Sequence, residues 1–157
     1  MKELITFLLG MAPISELRGA IPYGLSAGIG LQKTLFLAIL GNFIPVIPLL
    51  LFLEAISKWL SARSKLFKKF FEWLFARTRR HSDVIERFEA LGLIIFVGIP
   101  LPVTGAWTGC AAAFLFGIRF HRALPAILLG IIMAATIVTA VVLGALNLGS
   151  LTPLFIK

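Results

Sequence analysis

The chain has 157 residues, 59% of them apolar and only 14% charged, with a mean hydropathy of +1.01 and a formal net charge of +8. A soluble globular domain carries roughly a quarter charged residues, so the composition excludes that class and predicts one integral membrane domain over 1–157. The single cysteine, Cys110, excludes an intrachain disulfide, and the two distant histidines, His81 and His121, lack the spacing of metal ligands, so no metal and no cofactor are expected.

Leu4–Met11 is a short apolar arm, about half of the roughly 20 residues a spanning helix needs. A cleaved signal peptide is not expected, because Glu16 and Arg18 follow at once and no small-x-small site precedes them. The arm runs into Pro13-Ile14-Ser15-Glu16-Leu17-Arg18-Gly19-Ala20-Ile21-Pro22, an acid and a base framed by prolines, and Tyr23–Leu31 then returns to apolar, glycine-rich sequence. One continuous spanning helix would place two prolines and two charges in lipid, which is costly. A re-entrant helical hairpin fits better, with Pro13, Gly19 and Pro22 shaping its tip.

Leu35–Leu53 is a spanning candidate interrupted by Pro45 and Pro48, with Asn42 as its one strongly polar side chain. Asn42 is expected either to hold helices together or to reach a polar pocket. Ser57–Phe75 is amphipathic: Trp59, Phe67, Phe70, Phe71 and Trp73 fall opposite Lys58, Lys65, Lys68 and Lys69, as in a helix lying in the membrane interface or packing on a partner subunit. Arg63 breaks this pattern and is expected to snorkel. Between Lys58 and Glu89 nine basic and four acidic residues give a local excess of +5, which reads as a cytoplasmic loop near anionic lipid and not as a nucleic-acid patch.

Leu91–Ile99 is a second short arm. It ends in Pro100-Leu101-Pro102-Val103-Thr104-Gly105-Ala106-Trp107-Thr108-Gly109, followed by small apolar residues, an interface at Arg119–Arg122 and a last span over Leu124–Leu146. The halves therefore share one order of parts. Pro13 and Pro100 are 87 apart, as are Gly30 and Gly117, and Ala38-Ile39-Leu40 recurs 88 positions later as Ala126-Ile127-Leu128. The expected fold is an all-α integral membrane protein of two inverted repeats, 1–57 and 91–150, each a re-entrant hairpin plus one transmembrane helix. A basic amphipathic linker, 58–90, joins them and a tail, 151–157, follows. Paired, Gly/Pro-interrupted segments in an inverted repeat point to a transporter with a site near the midplane. The positive-inside rule puts 58–90 in the cytoplasm of a multi-pass protein of the cell membrane, with both termini outside.

The two breaks differ in chemistry. Arg18 offers a fixed cationic fork for phosphate or carboxylate, and Glu16 can neutralise it or carry a proton. Gly105 and Gly109, with Pro100 and Pro102, shape the second tip, while Thr104, Thr108 and Trp107 supply its polar groups. Helices starting at the breaks aim free N–H groups at an anion. If the tips meet, Glu16, Arg18, Asn42, Thr104, Trp107 and Thr108 form the candidate substrate and proton site. An ion pair that only braces the hairpin is the competing reading, although residues at i and i+2 do not face each other on a helix. There is no phosphate-binding glycine loop, nucleophile elbow or metal cluster, so catalytic residues and an enzyme are not expected.

The two motifs together resemble those of the small multidrug export proteins of bacteria and archaea, over nearly the whole chain. That family is similar, more distantly, to the DedA/VTT membrane proteins, described as two re-entrant hairpins each followed by a spanning helix and implicated in moving lipids such as undecaprenyl phosphate. The resemblance implies a DedA-like transporter or flippase, possible coupling to protons, and Glu16 and Arg18 as counterparts of that group's acidic and basic residues. DedA proteins typically add a second arginine motif, which Pro100–Gly109 lacks. The expected partners are membrane lipids, an anionic lipid or small-molecule substrate, protons and a second copy of the chain in a homodimer. Export of cationic drugs and a structural or assembly role are the alternatives.

Overall fold

The computed structural model describes residues 1–63, 69, 83–101 and 104–151. Most of the expected interfacial helix, Pro102 and the segment 152–157 lie outside them. Among the described residues all regular structure is helical: α1 (Lys2–Met11), α2 (Glu16–Ser26), α3 (Leu31–Phe43), α4 (Val46–Arg63), α5 (Asp83–Gly98), α6 (Ala106–Leu115) and α7 (Phe120–Leu151).

Two stretches have the length and hydropathy to cross a bilayer, Leu31–Leu53 and Phe120–Ala145. The first is divided between α3 and α4 at Ile44–Pro45, because proline brings no N–H to the helix ladder. The Leu49 N–H picks the ladder up again on the Pro45 carbonyl at 3.0 Å, so the break is a kink and not an end. The polar residues before Leu91 read as a short loop or a helix end; in α5 the apolar run is the last part of a longer helix whose described residues run from Asp83.

α1 and α2 form an antiparallel hairpin. Lys2 Nζ donates to the Ala27 carbonyl at 2.9 Å and Lys33 pairs with Glu3 at 2.6 Å, so the start of α1, the end of α2 and the start of α3 share one end of the bundle. α1 packs on α2 and α3, α5 packs on α6 and α7, α2 crosses to α7, and α6 crosses to α4. Close backbone approach makes these contacts. A Cβ on Gly41 of α3 would overlap the Phe7 carbonyl of α1, and one on Gly130 of α7 would press on the Ile94 carbonyl of α5 at 3.0 Å. The core follows the same logic. Ala20, Ala38, Ala106, Ala113, Ala123, Ala126 and Ala135 are buried among a few larger residues such as Ile21, Ile127 and Ile131, as expected where helices associate by close packing of small side chains. Phe36, Ile47, Leu51, Phe52, Leu129, Ile132 and Val141 face outward.

α2 and α6 end the same way. The Ile29 N–H reaches back to the Gly24 carbonyl at 3.0 Å, and the Ile118 N–H to the Ala113 carbonyl at 2.8 Å. Each closure passes through a glycine with positive φ, Gly28 at 79° and Gly117 at 68°, the left-handed C-cap that glycine adopts without a Cβ penalty. Gly28 and Gly117, 89 positions apart, thus play the same backbone role. At the outer end of α4, Arg63 lies over the Trp59 ring, 4.5 Å from its centroid, which accounts for its place in the apolar pattern.

Candidate functional site

The two polar breaks, far apart in sequence, are in direct contact. In the first tip α1 ends at Met11 and leaves carbonyls without partners. The Ala12 N–H takes Leu8, the Ser15 hydroxyl takes Leu9 at 2.6 Å, and the Glu16 N–H takes Ala12 at 3.0 Å. Gly19 sits against Ser15, where a Cβ would meet the serine side chain. This tight turn forces Glu16, the first residue of α2, to φ +44°. A non-glycine residue pays about 1–2 kcal/mol for that region, and such strain persists where surrounding contacts fix the residue.

Those contacts come from the second tip. Glu16 is 5% exposed. Its carboxylate accepts the Trp107 N–H at 3.4 Å, with the Ala106 N–H beside it. These are first-turn donors of α6, whose own N-cap, Gly105, has no side chain to satisfy them. Gly105 is also why the carboxylate fits, since a Cβ there would overlap both its oxygens. Glu16 therefore caps a helix that begins 90 residues further along the chain, placing negative charge at the positive end of the α6 dipole. Trp107 returns the contact: its Nε1–H donates to the Met11 carbonyl at 3.1 Å, closing the end of α1.

Arg18 does not pair with Glu16. Nη2 donates to the Thr104 carbonyl at 2.8 Å and Nη1 to the Leu101 carbonyl, so the guanidinium fork holds the loop of the second tip. Thr104 keeps that loop in shape. Its hydroxyl accepts the Leu101 N–H at 3.0 Å and donates to the Ile99 carbonyl.

Between the tips lies a cavity of about 10 Å³, the space of one water, lined on its polar side by Glu16, Arg18, Asn42 and Thr104. Its apolar wall includes Val97, Ile131, Ala134 and Val138. Asn42 is 1% exposed, and its Oδ1 has no hydrogen-bond partner among the described residues. Pro100 lines the cavity too, whereas Thr108 spends its hydroxyl on the Gly105 carbonyl at 3.3 Å within its own helix. Gly109 brings α6 against Val97 of α5, Pro22 lies inside α2, and Pro13 is exposed at the turn. Pro102 lies outside the described residues. The structure thus brings Glu16, Arg18, Asn42, Thr104 and Trp107 together and leaves Thr108 apart. Residue types had not singled out Ser15, the Met11 carbonyl or the apolar wall. Ser15, next to a helix break, was the one with a legible signal. Among the described residues no group of acids, histidines and cysteines could hold a metal.

Fold and site together define a helical membrane protein in which two polar helix tips lock onto each other. The family model described as putative small multi-drug export protein matches residues 16–137, a span that takes in both tips. The chain belongs to that family. No curated protein and no solved structure shows significant similarity to it.

Proposed function

We propose that the protein is a membrane transporter of DedA-like type that moves a lipid or small molecule bearing an anionic group, with Arg18 receiving that group and Glu16 carrying a proton. The observation that carries this reading is the contact of the two tips through Glu16 and Arg18 inside an apolar helix bundle, where charged side chains are expensive and mark transport paths. The family's name suggests export. The hairpin geometry supports re-entrance: α1 has ten residues, about 15 Å or half of a bilayer's hydrocarbon core, and both ends of the α1–α2 hairpin lie on one side. On this reading each half is a hairpin followed by a span, the halves are inverted, 58–90 is cytoplasmic and the termini lie outside. A cavity of about 10 Å³ holds no substrate, so the tips must part during transport. A chain this small encloses little volume, which favours a homodimer.

The test is flux through proteoliposomes of phosphatidylcholine holding the full chain, with a fluorescent phosphatidate and, separately, ethidium as probes. Phosphatidate should move in a pH-dependent way, and Arg18→Ala should abolish this while the protein remains folded. Movement of ethidium alone, hurt more by Glu16→Gln than by Arg18→Ala, would instead establish a cation exporter, a reading that draws on the same buried carboxylate. A folded wild type that moves neither probe would overturn transport and leave a structural role.

A further inference from the structure

The structure shows an anion already seated at the start of α6, and that anion is the protein's own. The Glu16 carboxylate occupies the place an oxyanion ligand would take: it accepts the Trp107 N–H, lies beside the Ala106 N–H, and fills the space left by the missing Cβ of Gly105. A helix N-terminus is a ready anion site when its N–H groups are free; here they are not. The same cavity presents a second irregularity. Asn42 Oδ1, on α3, is buried, and no protein group among the described residues donates to it. A buried acceptor left unmade costs about 1–3 kcal/mol, and a carboxylate cannot supply the missing donor because an ionised carboxyl only accepts. A protonated carboxyl can, with its one O–H.

We propose that Glu16 is a resident anion that competes with substrate for the N-terminus of α6: ionised, it caps that helix, and protonated, it turns to donate its O–H to Asn42 Oδ1 and frees the Ala106 and Trp107 N–H groups for the anionic group of the substrate. This deepens the transport reading and rests on it for its biological meaning, but the competition itself is a binding property. The proton comes from water and stays on the carboxyl, so no other reactant is needed. Arg18, beside the same cavity, exchanges its bonds to two backbone carbonyls for bonds to the arriving oxyanion, which it binds more strongly because that hydrogen bond joins two charges. Among the described residues, the charged or titratable groups facing Glu16 are Arg18 on its own helix and Cys110 one turn along α6. The cavity residues of α3, α5 and α7 bring none. One consequence is coupling: the oxyanion and the ionised Glu16 cannot occupy the α6 terminus together, so loading of substrate takes up a proton.

Sulfate is the probe, because its own charge does not change between about pH 5 and about pH 8. The full chain in phosphatidylcholine nanodiscs is titrated with sodium sulfate. Calorimetry gives affinity, and the emission of Trp107, in a background with Trp59→Phe and Trp73→Phe, reports the tip. Wild type should bind sulfate more tightly as pH falls. Glu16→Gln, which keeps a donor for Asn42 and carries no charge, should bind at about pH 7.5 at least tenfold more tightly than wild type and lose the pH dependence. Asn42→Leu should weaken binding about fivefold at low pH, because the protonated carboxyl has lost its acceptor. If Glu16→Gln binds no tighter than wild type at neutral pH, or wild-type affinity is flat with pH, the proposal is overturned. Should Glu16→Gln fail to fold, an Asn42→Leu protein with unchanged affinity at low pH overturns it as well. Competition without flux would sink only the transport reading, and flux without competition would sink only this one.

Discussion

Gly105→Ala tests the cross-tip cap with a single methyl group. Gly105 has φ 164° and ψ −169°, extended backbone that alanine adopts freely, so no conformational strain is introduced. The added Cβ overlaps the carboxylate of Glu16, whose atoms are the nearest to it, so the main cost is that of evicting one side chain. Eviction removes a charge-assisted hydrogen bond from the Trp107 N–H, worth about 1.5–3 kcal/mol, and the favourable placement of a carboxylate at a helix N-terminus, worth up to about 2 kcal/mol in a partly buried site. These overlap, and the carboxylate regains some solvation elsewhere, so the net loss should be about 2–3 kcal/mol. The assay is thermal unfolding of the full chain in nanodiscs, run as a double-mutant cycle with Glu16→Ala. Once the carboxylate is gone the overlap goes with it, so the cost of Gly105→Ala should fall below about 0.5 kcal/mol in that background. Equal costs with and without Glu16, or a Gly105→Ala protein that melts with wild type, would refute the cap.

Two further outcomes follow from contacts outside the cap. Gly41→Ala drives a Cβ into the Phe7 backbone carbonyl, which cannot move without shifting α1, whereas Gly98→Ala meets mainly the flexible end of Met133; Gly41→Ala should therefore lower the melting temperature by several degrees more, since methionine adapts its shape. Trp107→Phe keeps the ring and loses the Nε1–H bond to Met11, so it should cost about 1 kcal/mol, with amide exchange at the end of α1 accelerating while that of α7 is unchanged.

Much of this was legible because lipid makes polarity conspicuous. Glu16 and Arg18 stand out in an apolar run, and the prolines and glycines around them mark helix ends by steric rules that need no tertiary information. The extent of α5 was only partly legible, because Arg77–Glu89 is polar and reads equally as a short loop or a helix end. The partners of the charges were not legible. Two residues apart and opposite in sign, Glu16 and Arg18 suggest each other. The left-handed turn at Glu16 sends them apart, one to the N–H groups of α6 and the other to the carbonyls of Leu101 and Thr104. Burial of Asn42 could be expected from its place in a span; an unanswered acceptor there could not, since that depends on which neighbours arrive.

The same geometry explains why only one tip is charged. A repeat built symmetrically would carry an acid and a base at each break, and the two acids would then meet at the contact, where like charges in a low-dielectric interior repel strongly. Instead the second tip meets the two charges with backbone alone: N–H groups at the start of α6 for the acid, and carbonyls in the loop before it for the base. Glycine at 105 and threonine at 104 suit that task, one by leaving room and the other by fixing the loop through its hydroxyl. Backbone groups cannot change charge, so only the first tip can respond to a proton or an arriving ion. The division of labour predicts which substitutions are tolerated. At Thr104, serine should preserve the loop hydroxyl and its bonds, and valine, equal in shape but without them, should loosen the second tip and weaken the hold of Arg18 as surely as removing the arginine's own carbonyl partners.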